Sequence, residues 1–286
     1  MSQYSIGLGS PGEIHLHDRE EDTHVQIAPG RGGLIKRFQV RGRELLYLDE
    51  ATYQDRQKNV RGGIPILFPN PGKLENDEFS IDGEKGKQSQ HGFLRNKELP
   101  VVEFDADEGV VKLATEWQRS VAYPWSGKIA LRVLLRGGLL RIEMMITNRD
   151  DRPMPFALGF HPYFAILEAQ KPTFTVSHHA EQAMDNVQKR IVKVGKSIDF
   201  THTEVDLHLI DHPSSSMSMF LKDKLHATVR GSEDFGVWVL WTKRGKDFVC
   251  VEPWTSPANA LNSGERVLHV PKDASRKLWI EIEAAS

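Results

Sequence analysis

The stretch GKIALRVLLRGGLLRIEMMITNRD, from Gly127 to Asp150, alternates apolar and polar side chains on both sides of a Gly-Gly pair. Apolar residues at every second position share one face of an extended chain. They are Ile129, Leu131, Val133 and Leu135 before the glycines and Leu140, Ile142, Met144 and Ile146 after them. Gly137 and Gly138 both tolerate positive φ, which suits a two-residue hairpin turn. The stretch therefore predicts an antiparallel β-hairpin with one buried face.

The same period of two recurs along most of the chain. Short alternating runs stand between Gly, Pro, Asp and Ser residues, which is typical of strands separated by turns. These runs are GVVKLATEW, PTFTVS, SMSMFL, HATVRG, GVWVLW and RKLWIEIEA, and GGLIKRFQVRGRELLYL adds a second hairpin around Arg41 to Arg43. Many half-buried antiparallel strands without helical crossovers predict an all-β protein, a large sandwich or barrel.

Helical signals are weak throughout the sequence. We find no long stretch with an apolar stripe of period 3.6, and HAEQAMDNVQKR, residues 179–190, is the one segment expected to form a turn or two of helix. We also find no internal repeat and no Pro/Gly/Ser-rich linker that would divide the chain. Residues 1–286 are therefore predicted to form a single domain.

The composition of the 286 residues is that of an ordinary folded protein, with 39% hydrophobic and 27% charged residues. The formal net charge of −2 gives no electrostatic reason to expect nucleic acid or a membrane surface as a partner. No run approaches the roughly 20 apolar residues of a membrane span, and MSQYSIGLGS lacks the pattern of a signal peptide. The single cysteine, Cys250, lies in an apolar run and is expected to be a core residue. A reducing cytoplasm is the predicted location.

Four segments combine polar side chains with residues that stiffen the backbone. They are VRGGIPILFPNPG with Arg61, QSQHGFLRN with Gln90, His91 and Arg95, LGFHPYF with His161, and VEPWTSPANALNSGE with Glu252 and Trp254. Such rigidity holds polar groups in position before a ligand arrives. Taken singly, each residue also has a structural interpretation, as a core histidine, a turn residue, a turn-capping glutamate or a surface ion pair. Glu252 is the least ordinary, because it follows the apolar run FVCV and an unpaired buried carboxylate is costly.

A metal site is a competing prediction from a fifth segment. If HTEVDLH is a strand, its alternate side chains share one face; they are His202, Glu204, Asp206 and His208. Two imidazoles and two carboxylates suit a divalent metal ion. The alternative for the same four residues is a solvated polar face.

Taken in order, the motifs RGGIP, LFP, QHGFLR, GFHPYF and EP resemble the aldose 1-epimerase, or galactose mutarotase-like, superfamily. Within it they look closest to the glucose-6-phosphate 1-epimerases, also called hexose-6-phosphate mutarotases. The resemblance extends from about Gln26 to the C-terminus, and QHGFLR with GFHPYF is its specific ordered pair. It implies a large antiparallel β-supersandwich and an isomerase that binds a sugar or sugar phosphate, with no metal and no organic cofactor.

The resemblance also implies roles for individual residues. The general acid of the family falls on His161 and its general base on Glu252. Its substrate-binding residues fall on Arg61, Gln90, His91, Arg95 and Asp206. Anomer interconversion requires one group to take the proton of the C1 hydroxyl while another protonates the ring oxygen. A glutamate and a histidine suit this chemistry if their environments move their pKa values toward each other.

The identity of the substrate and the class of function have alternatives. A phosphorylated sugar requires basic partners, for which the candidates are Arg61, Arg95, Lys73, Lys85 and Lys87. Candidates to cover the apolar faces of a sugar are Phe93, Tyr163 and Trp254. Two other classes stay open: a non-catalytic carbohydrate-binding protein on the same fold, and a metal-dependent β-barrel enzyme that uses the HTEVDLH face.

Overall fold

The computed structural model describes residues 3–9 and 12–285, and β-strands dominate these ranges. In chain order the strands are β1 (Tyr4–Gly9), β2 (Glu13–Asp18), β3 (Thr23–Ala28), β4 (Leu34–Val40), β5 (Arg43–Glu44), β6 (Ile66–Leu67), β7 (Glu78–Ile81), β8 (Glu84–Lys87), β9 (Val101–Asp105), β10 (Val110–Trp117), β11 (Gly127–Arg136), β12 (Leu139–Asn148), β13 (Met154–Phe156), β14 (Gly159–Phe160), β15 (Tyr163–Ala165), β16 (Phe174–Val176), β17 (Gln182–Asp185), β18 (Arg190–Lys193), β19 (Glu204–Leu209), β20 (Ser216–Leu221), β21 (Lys224–Gly231), β22 (Val237–Lys243), β23 (Phe248–Trp254), β24 (Leu268–Val270) and β25 (Ser275–Ala284). The helices are short: α1 (Glu50–Gln54), α2 (Ala260–Ser263) and four 3-10 helices, Pro29–Arg31, Glu75–Asp77, Leu94–Asn96 and Glu168–Thr173. None of the helices in the described part of the chain is long and apolar enough to cross a membrane.

The strands form three large antiparallel sheets. The first is five-stranded, in the order β1-β2-β3-β4-β5. The second, which we call the hairpin sheet, has the order β16-β20-β21-β25-β12-β11-β10-β9. The third, which we call the cavity sheet, has the order β18-β17-β19-β22-β23-β14-β6, and β15 also pairs with β23. Two short pairs, β7-β8 and β13-β24, complete the structure, and the prediction of an all-β antiparallel sandwich is confirmed.

The hairpin predicted between Gly127 and Asp150 is the pair β11–β12. Its register places Ile129 opposite Ile146 and Leu131 opposite Met144, and the eight alternating apolar side chains are fully buried. Of the two turn glycines, only Gly137 has a positive φ, at 55°. On its other edge β12 pairs with β25, whose inward side chains are Leu278, Ile280 and Ile282. The period of two therefore identified the centre of this sheet correctly.

One hydrophobic cluster joins the three large sheets. It includes Val25 of the five-stranded sheet, Leu131 of the hairpin sheet and Val251 of the cavity sheet. Burial of one such leucine side chain contributes roughly 1.5–3 kcal/mol, so the sheets are held together mainly by removal of apolar surface from water. The core fixes the inner face of the cavity sheet and leaves its other face to carry the site.

Residues 179–190 are the main local error of the sequence prediction. They contain β17 and the start of β18, which form a hairpin with Asp185 opposite Arg190, and not a helix. The carboxylate of Asp185 accepts the backbone N–H groups of Val187 and Gln188, each at 2.9 Å, and this closes the turn. Because β17 also pairs with β19, its backbone hydrogen bonds are satisfied within the cavity sheet.

Candidate active site

A cavity of about 400 Å³ lies on the outer face of the cavity sheet. All seven site residues predicted from the sequence line it, although they are spread over almost 200 positions of the chain; they are Arg61, Gln90, His91, Arg95, His161, Asp206 and Glu252. The structure thus brings the predicted residues together in one place.

Strand β23 supplies the floor of the cavity. Val249 and Val251 point into the main core, whereas the alternate residues Cys250, Glu252 and Trp254 lie on the opposite face. The strand continues through Trp254, so Glu252 lies inside the strand and does not follow it. Strand β23 tolerates Pro253 because the segment between β14 and β15 does not pair with β23 at this position. No hydrogen bond from the missing N–H of Pro253 is therefore required on that side.

His161 lies in the gap between β14 and β15. Pro162 has no N–H, which interrupts the ladder there, and the backbone N–H of His161 donates instead to the carbonyl of Pro65 at 3.0 Å. Two residues on, Tyr163 donates to the carbonyl of Gly63 at 2.9 Å. Gly63 has φ of +64°, and a Cβ there would lie 2.3 Å from the carbonyl oxygen of Ile35. The backbone of the RGGIP motif therefore holds the segment that carries His161 in place through these hydrogen bonds, and only glycine fits at position 63.

His161 and Glu252 are in direct contact. The distance from Nε2 of His161 to Oε1 of Glu252 is 3.4 Å, and both residues are buried, with 8% and 1% of their surface exposed. The other carboxylate oxygen, Oε2, accepts the indole N–H of Trp254 at 3.1 Å. The ring of Tyr163 stacks on the imidazole with a centroid distance of 4.5 Å. The imidazole and the carboxylate are thus held rigidly beside each other at the cavity floor.

Burial shifts the pKa values of this pair in opposite directions. It raises the pKa of the Glu252 carboxyl well above its ordinary value, and the nearby charge of Asp206 adds to the rise. It lowers the pKa of His161 well below its ordinary value, and the charges of the nearby Arg61 and Arg95 add to the fall. Each shift disfavours a charged form, so both shifts favour the state in which the pair holds one proton in total. The condition that sequence reasoning set for an acid–base pair is met.

Asp206 lies on the wall of the cavity within a polar cluster. Asn186 donates to its Oδ1 at 3.2 Å, and Nε2 of His208 lies 3.3 Å from the same oxygen. Burial tends to raise the pKa of Asp206, but the hydrogen bonds from His208 and Asn186 outweigh it and the pKa is lowered. Asp206 is therefore a carboxylate at neutral pH, suited to accept hydrogen bonds from sugar hydroxyl groups.

The QHGF segment forms the opposite wall. Nδ1 of His91 contacts the carbonyl oxygen of Pro71, and burial lowers the pKa of His91 to about 4, so this imidazole is neutral. Gly92 is required because a Cβ there would lie 2.1 Å from the carbonyl oxygen of Phe68. Arg95 is partly buried, its Nε has no hydrogen-bond partner in the described structure, and burial lowers its pKa. Gln90 is exposed at the rim.

The predicted metal face is not assembled as expected. Glu204, Asp206 and His208 do share the cavity side of β19, but His202 precedes the strand, is 71% exposed at its side chain and lies 3.6 Å from Asp199. Within the described residues, one group of at least three potential metal ligands has its donor atoms close together. This group consists of His161, Cys250 and Glu252. The metal-dependent alternative on HTEVDLH is therefore wrong in its ligand set.

Three further sequence expectations are wrong about location. Lys85 and Lys87 lie on β8 and line a different surface depression, and Lys87 pairs with Glu78 at 2.7 Å. Phe93 does not line the cavity and packs against Phe68 and other aromatic rings in the interior. Two aromatic candidates, Tyr163 and Trp254, do line the cavity.

The sequence did not point to several residues that the structure places in the cavity. Asn186 and Lys189 come from the β17–β18 turn that had been assigned to a helix. Trp241 lies beside the floor, with the guanidinium of Arg61 over its ring at 5.6 Å. The alternation in GVWVLW puts Val237, Val239 and Trp241 on the face of β22 opposite the core. A tryptophan on that face was the feature of the sequence that could have indicated a cavity residue.

The fold is that of the galactose mutarotase-like β-sandwich proteins, and it carries an open cavity of about 400 Å³. The chain belongs to the aldose 1-epimerase family, whose model matches residues 14–272. Family membership supports an isomerase that acts at the anomeric centre of a sugar.

Individual relatives agree with this assignment. The structure of the Slr1438 protein from Synechocystis sp. PCC 6803 is 34% identical, covers 100% of this chain and 99% of its own, and has a TM-score of 0.91. A galactose mutarotase-like protein from Lactobacillus casei has the same fold at 20% identity, with a TM-score of 0.77 over 96% of this chain and all of its own. A Cenchrus ciliaris protein named "Putative glucose-6-phosphate 1-epimerase" is 29% identical over 74% of this chain and 69% of its own length.

Proposed function

We propose that this protein interconverts the α and β anomers of an aldohexose or a hexose 6-phosphate by acid–base opening and reclosure of the sugar ring. Glu252 is the base that takes the proton of the C1 hydroxyl, and His161 is the acid that protonates the ring oxygen. The observation that carries the proposal is the 3.4 Å contact between Nε2 of His161 and Oε1 of Glu252 at the floor of the cavity. Both reacting oxygens of the sugar are bonded to C1, so the two protein groups must be close neighbours.

The proton inventory of the pair matches the reaction. In the reactive form the pair holds one proton, which lies on His161 and leaves Glu252 as a carboxylate. Ring opening moves a proton from the C1 hydroxyl to Glu252 and a proton from His161 to the ring oxygen. After rotation about the C1–C2 bond, reclosure on the other face of the carbonyl returns both protons. Neither step changes the total charge of the pair, and positioned groups of this kind contribute about 10²–10⁴-fold each.

We propose that the remaining predicted residues bind the sugar. Asp206, an ionised acceptor, and His91, a neutral imidazole, would bond ring hydroxyl groups from opposite walls. Arg61, Gln90 and Arg95 would complete the contacts at the rim. We further propose that residues 1–286 act as one domain, which the shared core of the three sheets supports, and that the protein works in the cytoplasm.

A phosphorylated hexose is the substrate form we favour. Five cavity cations form no salt bridge with any described carboxylate. One of them, Arg31, donates its hydrogen bonds to backbone carbonyls. The other four are Arg61, Lys73, Arg95 and Lys189. Unpaired positive charge in a concave site attracts an anion, and a guanidinium can hold a phosphate through two hydrogen bonds. The name of the Cenchrus ciliaris relative points in the same direction.

The acid–base proposal is tested with Glu252→Gln and His161→Asn. Fresh α-glucose 6-phosphate and fresh α-glucose are followed by optical rotation, with the uncatalysed rate subtracted. Each variant is expected to lose about 10²-fold or more in kcat because a positioned acid or base is removed. The matched control is His226→Asn, since His226 is equally buried but lies on β21 outside the cavity. Acceleration equal to that of the wild type in either site variant would remove that residue from the mechanism.

The phosphate proposal has its own test. Arg61, Lys73, Arg95 and Lys189 are changed singly to glutamine, and KM is measured for glucose 6-phosphate and for glucose. At least one change is expected to raise KM for the phosphorylated sugar about tenfold, because a charge-assisted hydrogen bond is lost, without a matching change for glucose. Lys85→Gln is the control for a lysine outside the cavity. If the ratio of the two KM values is unchanged in all four variants, the phosphate is not bound by these cations.

A further inference from the structure

Two side chains at the floor of the cavity, His161 and Glu252, and the buried Cys250 next to them together suit a metal ion. The donor atoms of His161, Cys250 and Glu252 all lie within 4.8 Å of one another, and all three residues are buried. Cys250 and Glu252 are two positions apart on β23, so their side chains leave the same face of the strand. His161 reaches them from the gap between β14 and β15. The three groups come from two separate segments, and the register of the cavity sheet keeps them together.

We propose that His161, Cys250 and Glu252 form a binding site for a thiophilic divalent cation such as Zn²⁺ or Cd²⁺, and that occupation of this site inhibits the sugar reaction. The first half of the proposal is a statement about metal binding alone. The second half rests on the proposed function.

The distances fit tetrahedral coordination. Metal–nitrogen and metal–oxygen bonds of about 2.0–2.2 Å at a tetrahedral angle separate the two ligand atoms by about 3.4 Å. The separation of Nε2 of His161 from Oε1 of Glu252 is 3.4 Å. A metal–sulfur bond of about 2.3 Å requires the sulfur to lie about 3.6 Å from the nitrogen. The donor atoms of the three residues all lie within 4.8 Å of one another, so a small adjustment of the ligands would complete the coordination.

The orientation of the carboxylate also favours coordination. Oε2 of Glu252 is occupied by the indole N–H of Trp254, which leaves Oε1 as the oxygen that faces His161. A hydrogen bond to the non-ligating atom of a metal-binding group fixes its direction and strengthens binding. The cation would enter from the cavity side, which His161 and Glu252 line, and its fourth position would be open to water or a sugar hydroxyl.

The donor set selects the kind of metal. One thiolate, one imidazole and one carboxylate match Zn²⁺ and Cd²⁺, whereas Mg²⁺ and Ca²⁺ prefer oxygen ligands alone. When the metal binds, the Cys250 thiol gives one proton to the buffer, and the proton held by the His161–Glu252 pair is released to the buffer as well, so that a thiolate, a neutral imidazole and a carboxylate remain as ligands. The thiolate and the carboxylate then neutralise the two charges of the cation, so the buried complex carries no net charge.

Inhibition follows from the identity of the ligand atoms. Nε2 of His161 and Oε1 of Glu252, which lie 3.4 Å apart, belong to the acid and the base of the proposed ring opening. A cation bound to both would leave no acid and no base for the sugar. Cys250 itself has no part in the proposed ring opening.

The binding test uses the fact that the chain has one cysteine. Cd²⁺ is added to the purified protein under reducing conditions, and the ultraviolet cadmium–thiolate charge-transfer band is measured. Saturation at one Cd²⁺ per chain is expected, and Cys250→Ala should abolish the band. A histidine cluster on the five-stranded sheet, His15, His17 and His24, contains no thiol, so metal bound there gives no such band.

Two further variants decide whether three ligands act together. His161→Asn and Glu252→Gln should each weaken Cd²⁺ binding about tenfold or more, while the thiol remains. A band of wild-type strength and affinity in both variants would show that Cys250 binds alone and would overturn the three-ligand site. Absence of a band in the wild-type protein at millimolar Cd²⁺ would overturn it as well. Thermal unfolding of each variant checks that it is folded.

The inhibition test is separate. Zn²⁺ should slow wild-type mutarotation, a chelator should restore it, and Cys250→Ala should keep normal activity while requiring about tenfold more Zn²⁺ for the same inhibition. Equal sensitivity of wild type and Cys250→Ala would refute inhibition through this site. If the wild-type protein shows no mutarotation, the proposed function fails, whereas the charge-transfer band still decides whether the metal site exists.

Discussion

The hydrogen bond from Trp254 to Glu252 offers a quantitative test of the acid–base pair. The two residues are 3% and 1% exposed, and the indole nitrogen lies 3.1 Å from Oε2. A hydrogen bond to a buried charged group is worth roughly 1.5–3 kcal/mol. Trp254→Phe keeps most of the ring and removes the donor. The carboxylate form of Glu252 should then be less stable by about this amount.

The expected effect on the reaction follows from the shared proton. The reactive form of the pair has an ionised Glu252 and a protonated His161, and its population falls tenfold for each 1.36 kcal/mol. Trp254→Phe should therefore lower kcat by about ten- to a hundredfold across the neutral range. Because the last proton of the pair is held more tightly, the alkaline limb of the pH profile should also move to higher pH.

The assay is polarimetry of fresh α-glucose 6-phosphate between pH 6 and pH 10, with kcat and KM separated. KM is expected to change as well, since Trp254 lines the cavity, so kcat and the position of the alkaline limb are the informative quantities. Trp238→Phe is the matched control. The indole of Trp238 is also buried and donates at 2.9 Å, but its acceptor is the carbonyl of Ser214. A Trp254→Phe enzyme with wild-type kcat and an unmoved alkaline limb would refute the assignment of Glu252 as a carboxylate base.

Three other predictions concern stability. Burial and Asp206 raise the pKa of Glu252 in the folded protein, so the folded wild-type protein loses stability as the pH rises toward that pKa. The glutamine of Glu252→Gln does not titrate, so the free energy of unfolding of this variant relative to wild type should increase from pH 4.5 to pH 8 in urea titrations. A difference that stays constant with pH would contradict the raised pKa. Gly63→Ala should lower the free energy of unfolding by roughly 3 kcal/mol or more, because the added Cβ meets the carbonyl of Ile35. The control Gly245→Ala has a φ of +73° but open space around it, and it should lower the free energy of unfolding by about 1 kcal/mol. Equal shifts of the melting temperature in the two variants would argue against the close approach at Gly63. Leu131→Ala at the centre of β11 should lower the free energy of unfolding by about 2–5 kcal/mol by chemical denaturation, and a loss below 1 kcal/mol would show that the core there is not tightly packed.

The fold could be predicted from local pattern to a large extent. The alternation in β11, β12 and β25 identified which side chains are buried, because the geometry of a strand alone sends neighbouring residues to opposite faces. The pattern failed for residues 179–190, where polar residues carry little periodic information. There the Asp185 turn and the pairing of β17 with β19 decide the structure.

The candidate site divides in the same way. His161, Glu252 and the other five residues were identified from a resemblance of motifs, and the structure places all seven around one cavity. Asn186, Lys189 and Trp241 reach the cavity only through strand pairing and turn geometry, so no motif announced them. Cys250 was correctly expected to be buried, but its closeness to His161 depends on the register of β15 with β23.

The amino-acid sequence by itself determined that the chain forms antiparallel strands, which faces of the main hairpin are buried, and which polar residues stand on stiffened backbone. These properties depend on neighbours along the chain. Only the tertiary structure decided that an imidazole and a carboxylate 91 positions apart lie 3.4 Å from each other, and that burial moves their pKa values in opposite directions. Distances and desolvation of this kind arise from the packing of sheets against one another, which no local pattern specifies.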